Sequence, residues 1–141
     1  MSINIKQQNV IDKHSKRLLS ALRILSNSCN KKNIEAQHLY SVSSMLLYYL
    51  IFVLFAEEKK LTESTALTDY LNSIASQDIN KSNVDDALRN ILQKQYFCLT
   101  KDHLVLEPFC KIDDFSLTNT ALKQLVHYIM YDEKGSRVSW V

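Results

Sequence analysis

Eleven consecutive apolar and aromatic residues, Met45-Leu-Leu-Tyr-Tyr-Leu-Ile-Phe-Val-Leu-Phe55, decide the fold of this chain. The uncharged stretch around them, Leu39–Ala56, has eighteen residues, which reaches the lower limit of length for a membrane-spanning helix. The first half of that stretch carries Ser41, Ser43 and Ser44, and the fully apolar run is closer in length to a buried core helix. A helix that is apolar all round packs against other helices on every side. We therefore expect a central core helix over roughly residues 34–60, and no membrane span.

The near absence of glycine and proline favours helices over other architectures. The chain contains only Gly135 and Pro108, where average usage predicts roughly seventeen such residues. Sandwiches, barrels and phosphate-binding loops need glycine where the backbone takes a positive φ or approaches a ligand closely. A length of 141 residues suits one domain with a proper core, and is too short for two of ordinary size. We expect a single helical domain over residues 1–141, mainly α, without a common nucleotide-binding loop.

Apolar residues at helical spacing predict a multi-helix fold around the central helix. The predicted helices cover residues 10–28, roughly 34–60, from 64 or 65 through 74, from 82 through 92, and about 117–131. Ser64 or Thr65 is the expected cap of the third helix, and Ser82 with Asp85 resembles a capping box that opens the fourth. Paired extended segments predict a short β-hairpin near residues 96–106, and Arg137 begins another strand-like segment.

The positive charge is concentrated at the N-terminal end of the chain. The first 32 residues hold seven basic side chains against Asp12 alone, and the other 109 hold ten basic and fourteen acidic residues. Lys13, Lys16, Arg17 and Arg23 can share a face of the first helix, since spacings of three, four and seven coincide there. Such a row could neutralise nucleic-acid phosphates without reading sequence. The alternative is a solvated helix face that balances the acidic remainder of the chain.

Few residues suggest catalysis or metal binding. Glu57-Glu58-Lys59 contains the Glu-x-Lys pattern of nucleases, but that chemistry needs a second carboxylate at the same metal ion. We expect this triplet to be a solvated helix end. Cys98, His103 and Cys110 lie within thirteen residues, whereas zinc usually has four such ligands in close pairs. We predict no catalytic residue, no bound cofactor and no metal ligand in this chain.

Cysteine usage and the N-terminus indicate where the protein resides. The three cysteines are odd in number and have no close pair, which is typical of reduced thiols in the cytoplasm. The first residues lack the apolar core of a signal peptide. We also expect Tyr40, Tyr48 and Tyr49 to pack in the core with their hydroxyls at its margin.

The run Leu47-Tyr-Tyr-Leu-Ile-Phe-Val-Leu-Phe-Ala-Glu-Glu-Lys-Lys-Leu61 resembles a helix of type IIG restriction–modification enzymes and phage-defence DNA adenine methyltransferases. In that family an aliphatic and aromatic run closes on Leu-Phe-Ala-Glu, followed by an acidic residue, a basic one and a leucine. A second similarity joins Leu117-Thr-Asn-Thr-Ala-Leu122 to Arg137-Val-Ser-Trp140, which look like the family's final helix and its approach to the methyltransferase domain. The chain departs from the family at Tyr49, often arginine there, and at Lys60, often glycine.

The resemblance implies a non-catalytic helical spacer or scaffold region, present as a fragment or a separate subunit of a methyltransferase-type protein. The family's S-adenosylmethionine loop and its Asn-Pro-Pro-Tyr motif are absent from this sequence. The implied partner is therefore a catalytic methyltransferase domain or subunit, which would bind S-adenosylmethionine, with contacts to the DNA backbone through the basic first helix. The alternative is a free-standing helical interaction or accessory factor of a bacterium or phage.

Overall fold

The computed structural model describes the backbone of residues 5–30, 32–76, 84–106 and 111–140, and the side chains of these except residues 5–13 and 84–85. Within these ranges the chain forms five α-helices and one 3-10 helix. They are α1 (Ile5–Asn27), α2 (Ala36–Glu58), α3 (Ala66–Ser76), α4 (Val84–Thr100), the 3-10 helix Ile112–Asp114, and α5 (Asn119–Met130). The mainly helical prediction is confirmed, and each predicted helix is present. Ser82, the expected cap of α4, lies outside the described residues.

α2 is the apolar helix on which the fold is built. It packs against α1, α3 and α4, while α5 packs against α1 and α3. Its buried residues Val42, Leu46, Leu50 and Val53 recur every three or four positions and therefore point to one side. By length and composition α2 also suits a membrane span, with a mean hydropathy of 1.9, and 44% of that window is buried inside the fold. More than half of that window is not fully buried, so other helices do not cover α2 on every side, contrary to the expectation.

The β-hairpin predicted near residues 96–106 is not formed. Residues 96–100 complete α4, and residues 101–106 contain no strand. Leu88, Leu92, Tyr96 and Leu99 recur at helical spacing and all contribute to the core, so helical packing determines the conformation of this segment. A short apolar run cannot be assigned to strand or helix from periodicity alone. The helix ends where Lys101 adopts a φ of 63°.

α1 and α5 lie antiparallel and are joined at both ends. At one end the Asn30 N–H donates to the carbonyl of Asp114 at 2.6 Å, and the Ser116 N–H donates to the carbonyl of Ser28 at 2.8 Å. At the other end the guanidinium of Arg17 donates to the carbonyl of Tyr131. These hydrogen bonds hold α5 against the C-terminal half of α1.

The segment after α5 folds back onto the helices. The Val138 N–H donates to the carbonyl of Met130 at 2.8 Å, and the indole N–H of Trp140 donates to the carbonyl of Ile129 at 2.8 Å. The strand predicted to begin at Arg137 is reduced, among the described residues, to an isolated bridge between Arg137 and Tyr131. Gly135 makes the intervening turn possible with a φ of 80°.

Candidate functional surfaces

The carboxylate of Glu57 is buried, contrary to the expectation of a solvated helix end. Glu57 is only 2% exposed, and its carboxylate accepts hydrogen bonds from the N–H groups of Leu67 at 3.0 Å and Thr68 at 2.8 Å. These are among the first N–H groups of α3, which have no partner within the helix. Glu57 therefore takes the capping role predicted for Ser64 or Thr65. Only Glu58 and Lys59 of the triplet are exposed.

The four basic residues predicted to contact nucleic acid have different environments. Lys16 and Arg23 are exposed on α1, whereas Arg17 is half-buried and donates to the carbonyl of Tyr131. Burial lowers the pKa of the Arg17 guanidinium, and the carboxylates of Asp132 and Glu133 act in the opposite direction. The side chain of Lys13 lies outside the described residues. Arg17 therefore stabilises the fold, whereas Lys16 and Arg23 face solvent.

The cysteine and histidine residues do not form a cluster in the part of the chain that the structure describes. Cys98 and His103 are both exposed, and the His103 ring lies 5.6 Å from the ring of Phe97. Cys110 lies outside the described residues, and Cys29 is half-buried and free. Among the described side chains, no three His, Cys, Asp or Glu residues could hold a metal ion together.

An apolar groove runs between α1 and α2 at the edge of the core. This α1–α2 groove has a volume of about 490 Å³. It is lined by Ser15, Leu18, Leu19, Leu22, Tyr40, Ser44, Leu47, Tyr48 and Ile51. Leu19, Tyr40 and Tyr48 are 52%, 59% and 62% exposed, so the placement of Tyr40 and Tyr48 in the core is wrong.

Aromatic side chains continue the apolar surface from the groove towards α4. The ring of Tyr48 lies 6.0 Å from that of Phe52, and the ring of Tyr49 lies 4.9 Å from that of Tyr96. Tyr49 is half-buried and its hydroxyl donates to the carbonyl of Val105 at 2.8 Å, as expected for a tyrosine at the margin of a core. Burial raises the pKa of Tyr49, and the phenols of Tyr96 and Tyr48 raise it further.

A second surface depression, the α1–α5 cleft, lies between α1 and α5 and is more polar than the α1–α2 groove. Its volume is about 440 Å³, and it is lined by Ser20, Arg23, Ile24, Lys123, Gln124, His127 and Tyr128. The sequence prediction included Arg23 but missed Lys123 and His127. These two residues are four apart and so share a face of α5. That spacing is visible in the sequence, but the proximity of Arg23 is a property of the fold.

The two surfaces differ in the chemistry they offer. The α1–α2 groove offers apolar area with two exposed tyrosines, which suits a packed protein partner. The α1–α5 cleft offers cationic groups and hydrogen-bond donors, which suit an anion. No protein-family model, curated protein or solved structure matches this chain.

Proposed function

We propose that this chain is a non-catalytic helical scaffold of a DNA adenine methyltransferase or restriction–modification system, and that it docks onto the catalytic methyltransferase polypeptide. The observation that carries the proposal is the exposed apolar α1–α2 groove. Monomeric soluble proteins rarely leave large contiguous apolar patches open to water, and such patches mark sites of association. The resemblance of Leu47–Leu61 to the helical region of these enzymes supplies the choice of partner.

The groove suits a helix of the partner. It is bounded by two helices, and amphipathic helices bind such grooves through residues spaced three and four apart. Ser15 and Ser44 are small lining residues, which leaves room for larger apolar side chains of the partner. Tyr40 and Tyr48 are of the residue type that most often dominates binding energy at interfaces. The proposed occupant is therefore an amphipathic helix of the catalytic polypeptide.

In this proposal the chemistry belongs to the partner. The catalytic polypeptide binds S-adenosylmethionine and the target adenine. This chain supports the catalytic polypeptide structurally, in the cytoplasm. Lys16 and Arg23, exposed on α1, contribute contacts to the DNA backbone. The chain itself transfers no methyl group.

The proposal is tested by methyl transfer from labelled S-adenosylmethionine to duplex DNA. The purified chain is assayed alone, and then with the catalytic polypeptide encoded by the adjoining gene. We expect no transfer by the chain alone, and greater transfer by the pair than by the catalytic polypeptide alone. Methylation by the isolated chain contradicts the proposal, as does a catalytic polypeptide whose activity the chain leaves unchanged.

A second candidate is a free-standing helical interaction factor of a bacterium or phage. The α1–α2 groove favours this candidate too, because the exposure of Leu19, Tyr40 and Tyr48 is independent of any family resemblance. The sequence of the neighbouring gene distinguishes the two candidate functions. A reading frame with the Asn-Pro-Pro-Tyr motif beside this gene supports the scaffold, and its absence supports the free-standing factor.

A further inference from the structure

We infer that the α1–α5 cleft binds phosphate groups of a DNA backbone. The inference rests on the proposed function only for the choice of DNA as the source of phosphate. The chemistry of the site stands on the residues of the cleft, where α1 contributes Arg23 and α5 contributes Lys123 and His127.

The described parts of the two helices that line the cleft carry basic residues but no acidic ones. Residues 14–27 of α1 and residues 119–130 of α5 contain no aspartate or glutamate. Asp132 and Glu133, just after the end of α5, act electrostatically on Arg17. A surface with basic residues and no acidic ones along its length attracts anions.

The cleft is held in shape before any ligand arrives. The Cys29–Phe115 bridge joins α1 to the chain before α5 at one end, and the bond from Arg17 to Tyr131 joins them at the other. Arg23 and Lys123 therefore face a common space without a change of backbone. Preorganisation of this kind reduces the entropy lost on binding. The amide of Gln124 and the hydroxyl of Tyr128, in the same lining, can donate hydrogen bonds to phosphate oxygens.

The spacing of the charges favours a polymer over a single free phosphate. Lys16 is exposed on α1, seven residues before Arg23. That separation is about 10 Å along the helix axis, which is more than one phosphate group spans. Lys16 and Arg23 can therefore contact different phosphates of one DNA backbone, whereas a single free phosphate cannot reach both.

The test is the anisotropy of a short fluorescein-labelled DNA duplex titrated with the full chain at several salt concentrations. The variant is Arg23→Glu with Lys123→Glu, and the matched control is Lys59→Glu with Lys94→Glu, which makes the same charge change at exposed positions outside the cleft. Circular dichroism establishes that both variants are folded. We expect the cleft variant to bind the duplex at least about tenfold more weakly. We also expect the slope of log K against log salt to fall by about 1 for each phosphate that the variant no longer neutralises.

Equal loss of affinity in the two double variants overturns the inference, because it would mean that net charge alone determines binding. Unchanged binding by the cleft variant overturns it as well. Inorganic phosphate that displaces the duplex at constant ionic strength would make the site one for a free anion, and tighter binding of single-stranded RNA would overturn the choice of DNA. The cleft variant still binds the catalytic polypeptide if only this inference fails. If only the proposed function fails, the wild-type chain binds DNA but does not increase methyl transfer by the catalytic polypeptide.

Discussion

The side-chain amide of Gln95 donates a hydrogen bond of 2.6 Å to the buried carboxylate of Glu57. The same carboxylate caps the first turn of α3 through Leu67 and Thr68. One residue at the end of α2 thus joins the start of α3 and the middle of α4. Gln95 is 4% exposed and also donates to the carbonyl of Ser64, so the junction is closed to water and its polar groups have partners inside the fold.

Replacing Glu57 should destabilise the protein more than replacing any exposed acidic residue. Glu57→Ala removes the buried acceptor of two N–H groups at the start of α3 and one of the two acceptors of the Gln95 amide. We expect the free energy of unfolding to fall by about 3 kcal/mol. Urea denaturation followed by circular dichroism measures the change. The control is Glu63→Ala, an exposed residue whose loss should cost less than about 0.5 kcal/mol. Equal effects of the two substitutions would mean that the junction does not stabilise the fold.

Loss of the Arg17 guanidinium should loosen the segment that follows α5. Arg17→Met keeps the apolar stem of the side chain but removes the donor to the carbonyl of Tyr131. We expect the free energy of unfolding to fall by about 1–2 kcal/mol. We also expect faster hydrogen exchange at Val138, whose N–H is bonded to the carbonyl of Met130. Arg23→Met, at an exposed position of the same helix, should leave that exchange rate unchanged. An unchanged rate in Arg17→Met would contradict the structural role of Arg17.

The positions of the helices could be predicted from the sequence because the spacing of leucine and isoleucine residues indicates which side of each helix is buried. In α3, for example, Leu67, Leu71 and Ile74 have helical spacing in the sequence, and all three are buried in the structure. The role of Glu57 could not be predicted, because its partners lie 10 and 38 residues away at Leu67 and Gln95. Charged residues are normally exposed, so only the fold reveals that this one is not.

The candidate surfaces were less predictable than the helices. Arg23 was recognised from charge alone, but its neighbour Lys123 is close only because α1 and α5 run antiparallel. The run Met45–Phe55 is apolar on all sides, and nothing in its composition tells which side other helices cover. The α1–α2 groove could therefore be recognised only from the packing of the helices in the structure.

Removing the hydroxyl of Tyr49 should change stability at alkaline pH. The pKa of Tyr49 is raised in the fold, first by burial, so the folded protein keeps this proton to higher pH than the unfolded chain. The contribution of the Tyr49 phenol to the free energy of unfolding is fully present below its unfolded pKa of about 10. It is lost as the pH rises through the pKa of the folded state. We expect Tyr49→Phe to lose less thermal stability than the wild type as the pH rises above about 10. Tyr40→Phe, at a mostly exposed residue, should follow the wild type, and identical pH profiles for all three proteins would contradict the prediction.

Calorimetric titration of this chain with the proposed partner, a catalytic methyltransferase polypeptide, tests the central claim most directly. The groove variant is Leu19→Gln with Tyr48→Gln, and the control is Leu61→Gln, which changes a 64% exposed leucine outside the groove. Truncation of dominant interface residues of this kind weakens binding by about 2 kcal/mol or more, which is about thirtyfold in affinity. We predict that the groove variant loses at least that much and that the control binds like the wild type. Binding that is the same in all three proteins, or absent from the wild type, would contradict the claim that the α1–α2 groove docks this scaffold onto its catalytic partner.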